Sequence, residues 1–227
     1  MGSSIDEPWR MDNEGPRHKG TIAYSFAVGK YPVTQDEWEA VMGNNPSRFK
    51  NKPRYPVENI WAGEHQAYIK KLNEMTGAFY RLLSEAEWEY CCRAGTTTTY
   101  NTGSTLTTDQ ANFRGQKKFL GLIRMDSFQY ATTPVDQFSP NAFGLYDMHG
   151  NVFEWVEDER HNNYIGAPTD GSAWLTESAR GLERARVIWG GSWESHSGEV
   201  RSAARSPQLS RCAGIFGFRV ARTLPYT

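Results

Sequence analysis

Aliphatic residues are scarce in this chain, and that shortage limits what it can fold into. Leu, Ile, Val and Phe together account for 40 of 227 residues, whereas Phe, Trp and Tyr number 11, 8 and 11. A low aliphatic fraction combined with a high net charge marks disorder, but here 25 Lys and Arg face 26 Asp and Glu. The interior must therefore be built largely from aromatic rings, with 21 glycines available for turns and close approaches.

The charge balance provides no global positive field for a nucleic-acid backbone, so no nucleic-acid partner is expected. No apolar run approaches the roughly 20 residues that span a bilayer, so no membrane insertion is expected. Met1 to Lys19 is polar and of mixed charge, unlike a secretory signal. Three cysteines, Cys91, Cys92 and Cys212, are too few for a disulfide scaffold and too badly spaced for zinc. A reducing, cytoplasmic setting is the default expectation, with surface or virion display left open.

Local signals predict a strand over 21–28 and three helices. Thr34 and Glu37 form a capping box ahead of Trp38, Val41 and Met42, with a stop at Gly43. Trp61, Tyr68, Ile69, Leu72 and Met75 lie at helical spacing before Gly77. Ser84 and Glu87 form a second capping box for a helix that stops at Gly95. Residues 96–135 and 161–184 read as long irregular loops, of a kind usually functional or held by ligands. Short strands are expected over 186–193, 200–205 and 217–221. Nothing divides the chain, and one α+β domain over 1–227 is the reading.

Several segments occur in a fixed order: GKYPVTQDEW (29–38), PVENIWAGEHQAYIKKLN (56–73), RLLSEAEWEYCCRAG (81–95), TTPVDQFSPNAFGLYDMHGNVFEWVED (132–158), then GGSW, RSAAR and GFR within 190–219. Over nearly its whole length the chain resembles the formylglycine-generating-enzyme, or sulfatase-modifying-factor, family. The resemblance implies a C-type-lectin-like fold: a small twisted antiparallel sheet, two main helices and extensive irregular loops.

Formylglycine generation in that family uses a cysteine pair after the GGS-aromatic motif, with copper and oxygen. Here Ser195 occupies the place of the first cysteine, and 194–205 contains no cysteine at all. A hydroxyl is neither a soft copper ligand nor a redox thiol. Neither copper nor enzyme activity is therefore expected. An oxidase acting on a sulfatase cysteine is the disfavoured alternative.

The resemblance also implies calcium. One family site corresponds to Asn112, Phe113, Asp126 and Phe128, and a second to Asp147, Gly150, Val152 and Glu154; irregular loops rich in carbonyls suit that ion. The alternative is that Asp147 and Glu154 only hydrogen-bond turns.

The family includes non-catalytic variable proteins of diversity-generating retroelements, in which a constant frame like GGSW, RSA-x-R and GFR alternates with randomised positions. On that resemblance, 186–221 is a variable ligand-binding region displayed to a protein or glycan target. Its binding residues would be Trp189, Glu194, Ser195, His196, Ser197, Ser206, Gln208, Leu209, Ser210, Cys212, Ala213 and Ile215. Their mixed chemistry suits recognition on a rigid scaffold better than one catalytic task. An ordinary family member whose loop has drifted is the competing reading. Glu194, Gln208 and Trp189 cannot arise from an Asn codon ending in a pyrimidine by changing adenines alone, whereas the other nine can.

Overall fold

The computed structural model describes residues 1–119, 122–125, 129–176, 185–209 and 214–225. The side chains of 116–119, 122–125 and 207–209, and that of Ala62, are not described. The architecture is the expected α+β one. Strand β1 is Phe26–Val28, α1 Gln35–Met42, α2 Ala62–Thr76, β2 Tyr80–Arg81 and α3 Glu85–Arg93. Then follow β3 Gln116–Phe119, β4 Leu122–Met125, β5 Phe153–Glu159, β6 Ala185–Trp189, β7 Ser206–Leu209, β8 Phe216–Gly217 and β9 Ala221–Thr223.

Both predicted capping boxes form. Thr34 N–H donates to Glu37 Oε2 at 2.9 Å. At the start of α3, Ser84 Oγ accepts from Glu87 N at 3.1 Å while Ser84 N donates to Glu87 Oε2 at 2.8 Å. Gly43 and Gly77 take the left-handed conformation that closes α1 and α2. At α3 that role falls to Ala94, one residue before the expected Gly95.

Four strands form the central sheet in the order β7-β6-β5-β8. Most of it is antiparallel, but β5 and β8 run parallel, with Phe153 opposite Phe216. A second sheet, β1-β9-β2, is antiparallel throughout. The period of two along a strand sends alternate residues to opposite faces, and β5 and β6 use both. Phe153, Trp155 and Ile188 join Trp38, Ile60, Tyr68 and Phe218 in one apolar cluster, where Trp38 and Tyr68 stack at 5.3 Å. Val156, Val187 and Trp189 face the other way, onto Trp88, Cys91 and Cys92 of α3. Aromatic rings thus fill both layers, as the shortage of aliphatics required.

Five strand expectations need correction: β6 stops at Trp189 instead of reaching 193, and 217–221 is split between β8, which ends at Gly217, and β9, which starts at Ala221. Only the last three residues of 21–28 form a strand. Residues 200–205 are turns, because Arg201 and Arg205 point their side chains inward, and β7 begins only at Ser206. The stretch 96–135 contains the β3–β4 hairpin. Among the described residues, no helix is long and apolar enough to cross a membrane.

Candidate functional site

The loop from Ser192 to Val200 leaves β6 and is held by its own backbone and hydroxyls. Ser195 N donates to Ser192 O at 3.0 Å, and Ser195 Oγ accepts from Ser192 N at 3.2 Å. Glu194 N donates to Ser192 Oγ at 3.2 Å. Tyr100 Oη donates to Ser197 O at 2.9 Å, and Arg114 N to Ser195 O at 2.9 Å. Short polar side chains that bond nearby backbone in this way replace regular secondary structure.

Beneath the loop, the arginines of the frame motifs are buried against acids from distant parts of the chain. Arg201 Nη1 lies 2.7 Å from Glu7 and its Nη2 2.5 Å from Glu14. Arg205 forks onto Glu85 at 2.5 and 2.9 Å. Arg219 forks onto Glu154 at 2.8 and 2.6 Å. Burial raises the Glu85 carboxyl, and the Arg205 charge opposes that rise. Removing one partner of such a pair strands a buried charge, so these contacts set the position of the loops above them.

The predicted binding residues separate into outward and inward sets. Glu194 and His196 are exposed, and Ser197 and Ser206 are half-buried. Trp189 does not belong to the surface: it is 0% exposed, and its indole donates to Glu85 Oε1 at 3.1 Å. Residue 189 is an inward position of β6, so its ring belongs to the core. Ser195 is also buried, and its hydroxyl is committed to the turn. Ile215 packs partly buried against the first core cluster. Gln208 and Leu209 pair through β7 with Arg186 and Ala185, and their side chains are not described. Ser210, Cys212 and Ala213 lie outside the described residues.

Cys91 and Cys92 are buried and free. Burial pushes the Cys91 thiol up to about 12 and the Cys92 thiol upward as well, so neither offers a thiolate at neutral pH.

Of the residues matched to calcium, Asn112 and Phe113 line an open cavity of about 420 Å³ together with Asp109, Gln129 and Gln137. Asp126 and Phe128 fall outside the described residues. Asp147 lines a separate cavity of about 200 Å³, which includes Asn101, Asp109 and His149. Burial lifts the Asp147 carboxyl to about 7, and Asn151 Nδ2 donates to it at 3.2 Å. The two sets meet at Gly150: a Cβ there would lie 2.2 Å from the Asn112 carbonyl oxygen. Val152 is buried, beside Gly217. Glu154 is committed elsewhere, because Arg219 takes both its oxygens and Trp88 Nε1 donates to Oε2 at 2.7 Å. Among the described residues, no three His, Cys, Asp or Glu side chains cluster to hold a metal. Of the carboxylates matched to calcium, Asp147 is the one among the described residues that is not committed to an arginine.

Sequence reasoning missed the N-terminal segment, read as irregular. Its Glu7 and Glu14 anchor Arg201, and its Trp9 ring lies 5.7 Å from the His196 ring. The signal was present only as acids within a polar stretch, with nothing local to name their partners.

The model of the sulfatase-modifying factor enzyme 1-like domain matches residues 1–224. A serine/threonine-protein kinase pkn1 of Chlamydia caviae is 34% identical over 240 residues, covering 92% of this chain and 35% of the kinase. The formylglycine-generating enzyme of Mus musculus is 33% identical over 206 residues, covering 84% of this chain and 50% of the enzyme. The chain thus spans about a third to a half of these relatives. Among solved structures, PvdO from Pseudomonas aeruginosa superposes with a TM-score of 0.83 at 35% identity, covering 99% of this chain and 90% of PvdO. Treponema denticola variable protein 1 gives 0.80 at 24% identity, covering 97% and 90%, a likeness of fold.

Proposed function

The chain belongs to the sulfatase-modifying factor enzyme 1-like family, and we propose that it is a non-catalytic member, one that binds a ligand through the loops carried on its C-terminal frame. One observation carries the reading: at the position matched to the first family cysteine stands Ser195, buried and bonded into a turn, while exposed Glu194 and His196 flank it on a rigid base. A hydroxyl held by a backbone N–H supplies no redox equivalent. Side chains of mixed chemistry on a fixed loop supply recognition instead.

Arg201, Arg205 and Arg219 support this reading because they separate frame from display. Each is buried and paired to a distant acid, so exposed loop positions such as Glu194 and His196 can vary without removing these anchors. The fold shared with a Treponema denticola variable protein agrees with a surface of that kind. Protein or glycan is the ligand class, and calcium, if bound, would brace the loops near Asn112 and Asp147.

The competing oxidase reading is tested directly. Incubation with a cysteine-containing sulfatase peptide, copper and oxygen yields no aldehyde if binding is the function; aldehyde formation overturns it. A reverse transcriptase and an adenine-rich repeat beside the gene would support deliberate diversification of the loops.

A further inference from the structure

Trp9 is 66% exposed, yet its backbone is held in an unusual conformation. Its φ is 64°, in the left-handed region, where a bulky residue is an outlier. Such outliers persist where the surroundings over-determine them, and they gather at binding sites.

The surroundings here do so from beneath. Arg201 Nη2 donates to the Trp9 carbonyl oxygen at 2.9 Å, while the rest of that guanidinium is spent on Glu7, Glu14 and the Gly198 carbonyl. Gly198 lies so close that a Cβ on it would sit 2.9 Å from Trp9 Cβ. The fold fixes the backbone of Trp9 and leaves the indole in solvent, which is not how a core tryptophan is used.

Beside the indole stands a polar edge. The His196 ring is tilted 50° to it at 5.7 Å. Gly198 N donates to His196 Nδ1 at 3.1 Å, so the neutral imidazole carries its proton on Nε2. That nitrogen is 3.7 Å from the partly exposed Glu199 carboxylate, which also accepts from His196 N at 3.1 Å.

We propose that Trp9, His196 and Glu199 form a platform for an uncharged saccharide, a proposal that rests on the loop-surface reading above. A pyranose ring has an apolar C–H face and a hydroxyl edge, and an open indole flanked by a donor and an acceptor complements both. The ring beside the indole is an imidazole backed by a carboxylate, which fits a sugar better than an apolar protein anchor. Glu199 disfavours an acidic sugar, and the Arg201 charge is already neutralised by Glu7 and Glu14.

The test titrates the full chain with cellohexaose, chitohexaose and maltohexaose, read by calorimetry. At least one binds saturably. Trp9→Ala weakens binding about tenfold or more, while Trp9→Tyr keeps most of it. Gly198→Ala, which retains the indole but pushes it aside, also weakens it. Unchanged melting of Trp9→Ala shows that the loss is not unfolding. Failure of all three sugars to bind at millimolar concentration overturns the proposal, as does equal affinity in Trp9→Ala. Sugar binding that survives Trp9→Ala but is lost in Glu194→Ala with Ser206→Ala overturns this platform and leaves the loop-surface reading standing.

Discussion

Trp88 and Trp189 lie 5.1 Å apart, tilted 37° to one another, and their indole N–H groups serve different buried glutamates, Glu154 and Glu85. Each glutamate also receives a forked arginine, Arg219 and Arg205 respectively. The tilted pair therefore joins two ion pairs across the layer between α3 and β6.

Trp189→Ala is expected to cost about 3–5 kcal/mol, the range for deleting a buried large aromatic. Trp189→Phe keeps a ring but leaves Glu85 short of a donor, at about 1–3 kcal/mol. Urea unfolding measures both. A near-zero cost for Trp189→Ala would return this residue to the surface set.

His65 is wholly buried, and among the described residues neither ring nitrogen has a hydrogen-bond partner; its ring lies 5.9 Å from Trp155 and 6.0 Å from Phe218. Burial, with a smaller contribution from the Arg186 charge, lowers it to about 3. In the unfolded chain it titrates near 6.5, so the unfolded state takes up the proton first. The stability contributed by the neutral ring is complete above about pH 6.5 and lost as pH falls toward 3. His65→Leu should flatten that part of the stability profile and raise neutral-pH stability by about 1 kcal/mol or more. An unchanged acid slope in melting against pH would contradict this.

Gly150 combines a φ of 84° with a backbone oxygen 2.2 Å from where a Cβ would stand. Gly150→Ala must shift the Asn112 loop, at a cost above the roughly 1 kcal/mol of an ordinary glycine replacement. Thermal unfolding reads this cost, and a melting temperature equal to wild type would refute it.

Calcium, if it binds, raises the melting temperature by mass action, and a chelator reverses the rise. Asp147→Ala should reduce that response. Glu154→Gln should lower stability equally with and without the ion, because its carboxylate serves Arg219 and Trp88. Identical melting with calcium and with chelator removes the ion from the account.

What the sequence revealed tracks the range of the forces involved. The caps at Thr34 and Ser84 were legible because residues three apart close them. The frame motifs were legible as a family pattern. The burial of Trp189 follows from the alternation of β6 and was readable in principle, but the register was not known. The pairing of Glu7 and Glu14 with Arg201 spans nearly the whole chain, and no local pattern records it. Trp9 was missed for the same reason, since only that clamp gives it a place.

Strand β9 lies in the middle of its sheet, between β1 and β2. Phe26–Val28 pairs with 221–223, and Tyr80–Arg81 with 221–222, on opposite edges of β9. Neither can enter its sheet until β9, far along the chain from both, has folded between them. Arg201, Arg205 and Arg219 belong to the same C-terminal stretch and neutralise acids that precede them in the chain. The stretch proposed to carry recognition is therefore also the stretch that completes the second sheet and the buried ion pairs, so a substitution that disturbs one of these arginines is lost to folding before it can alter recognition.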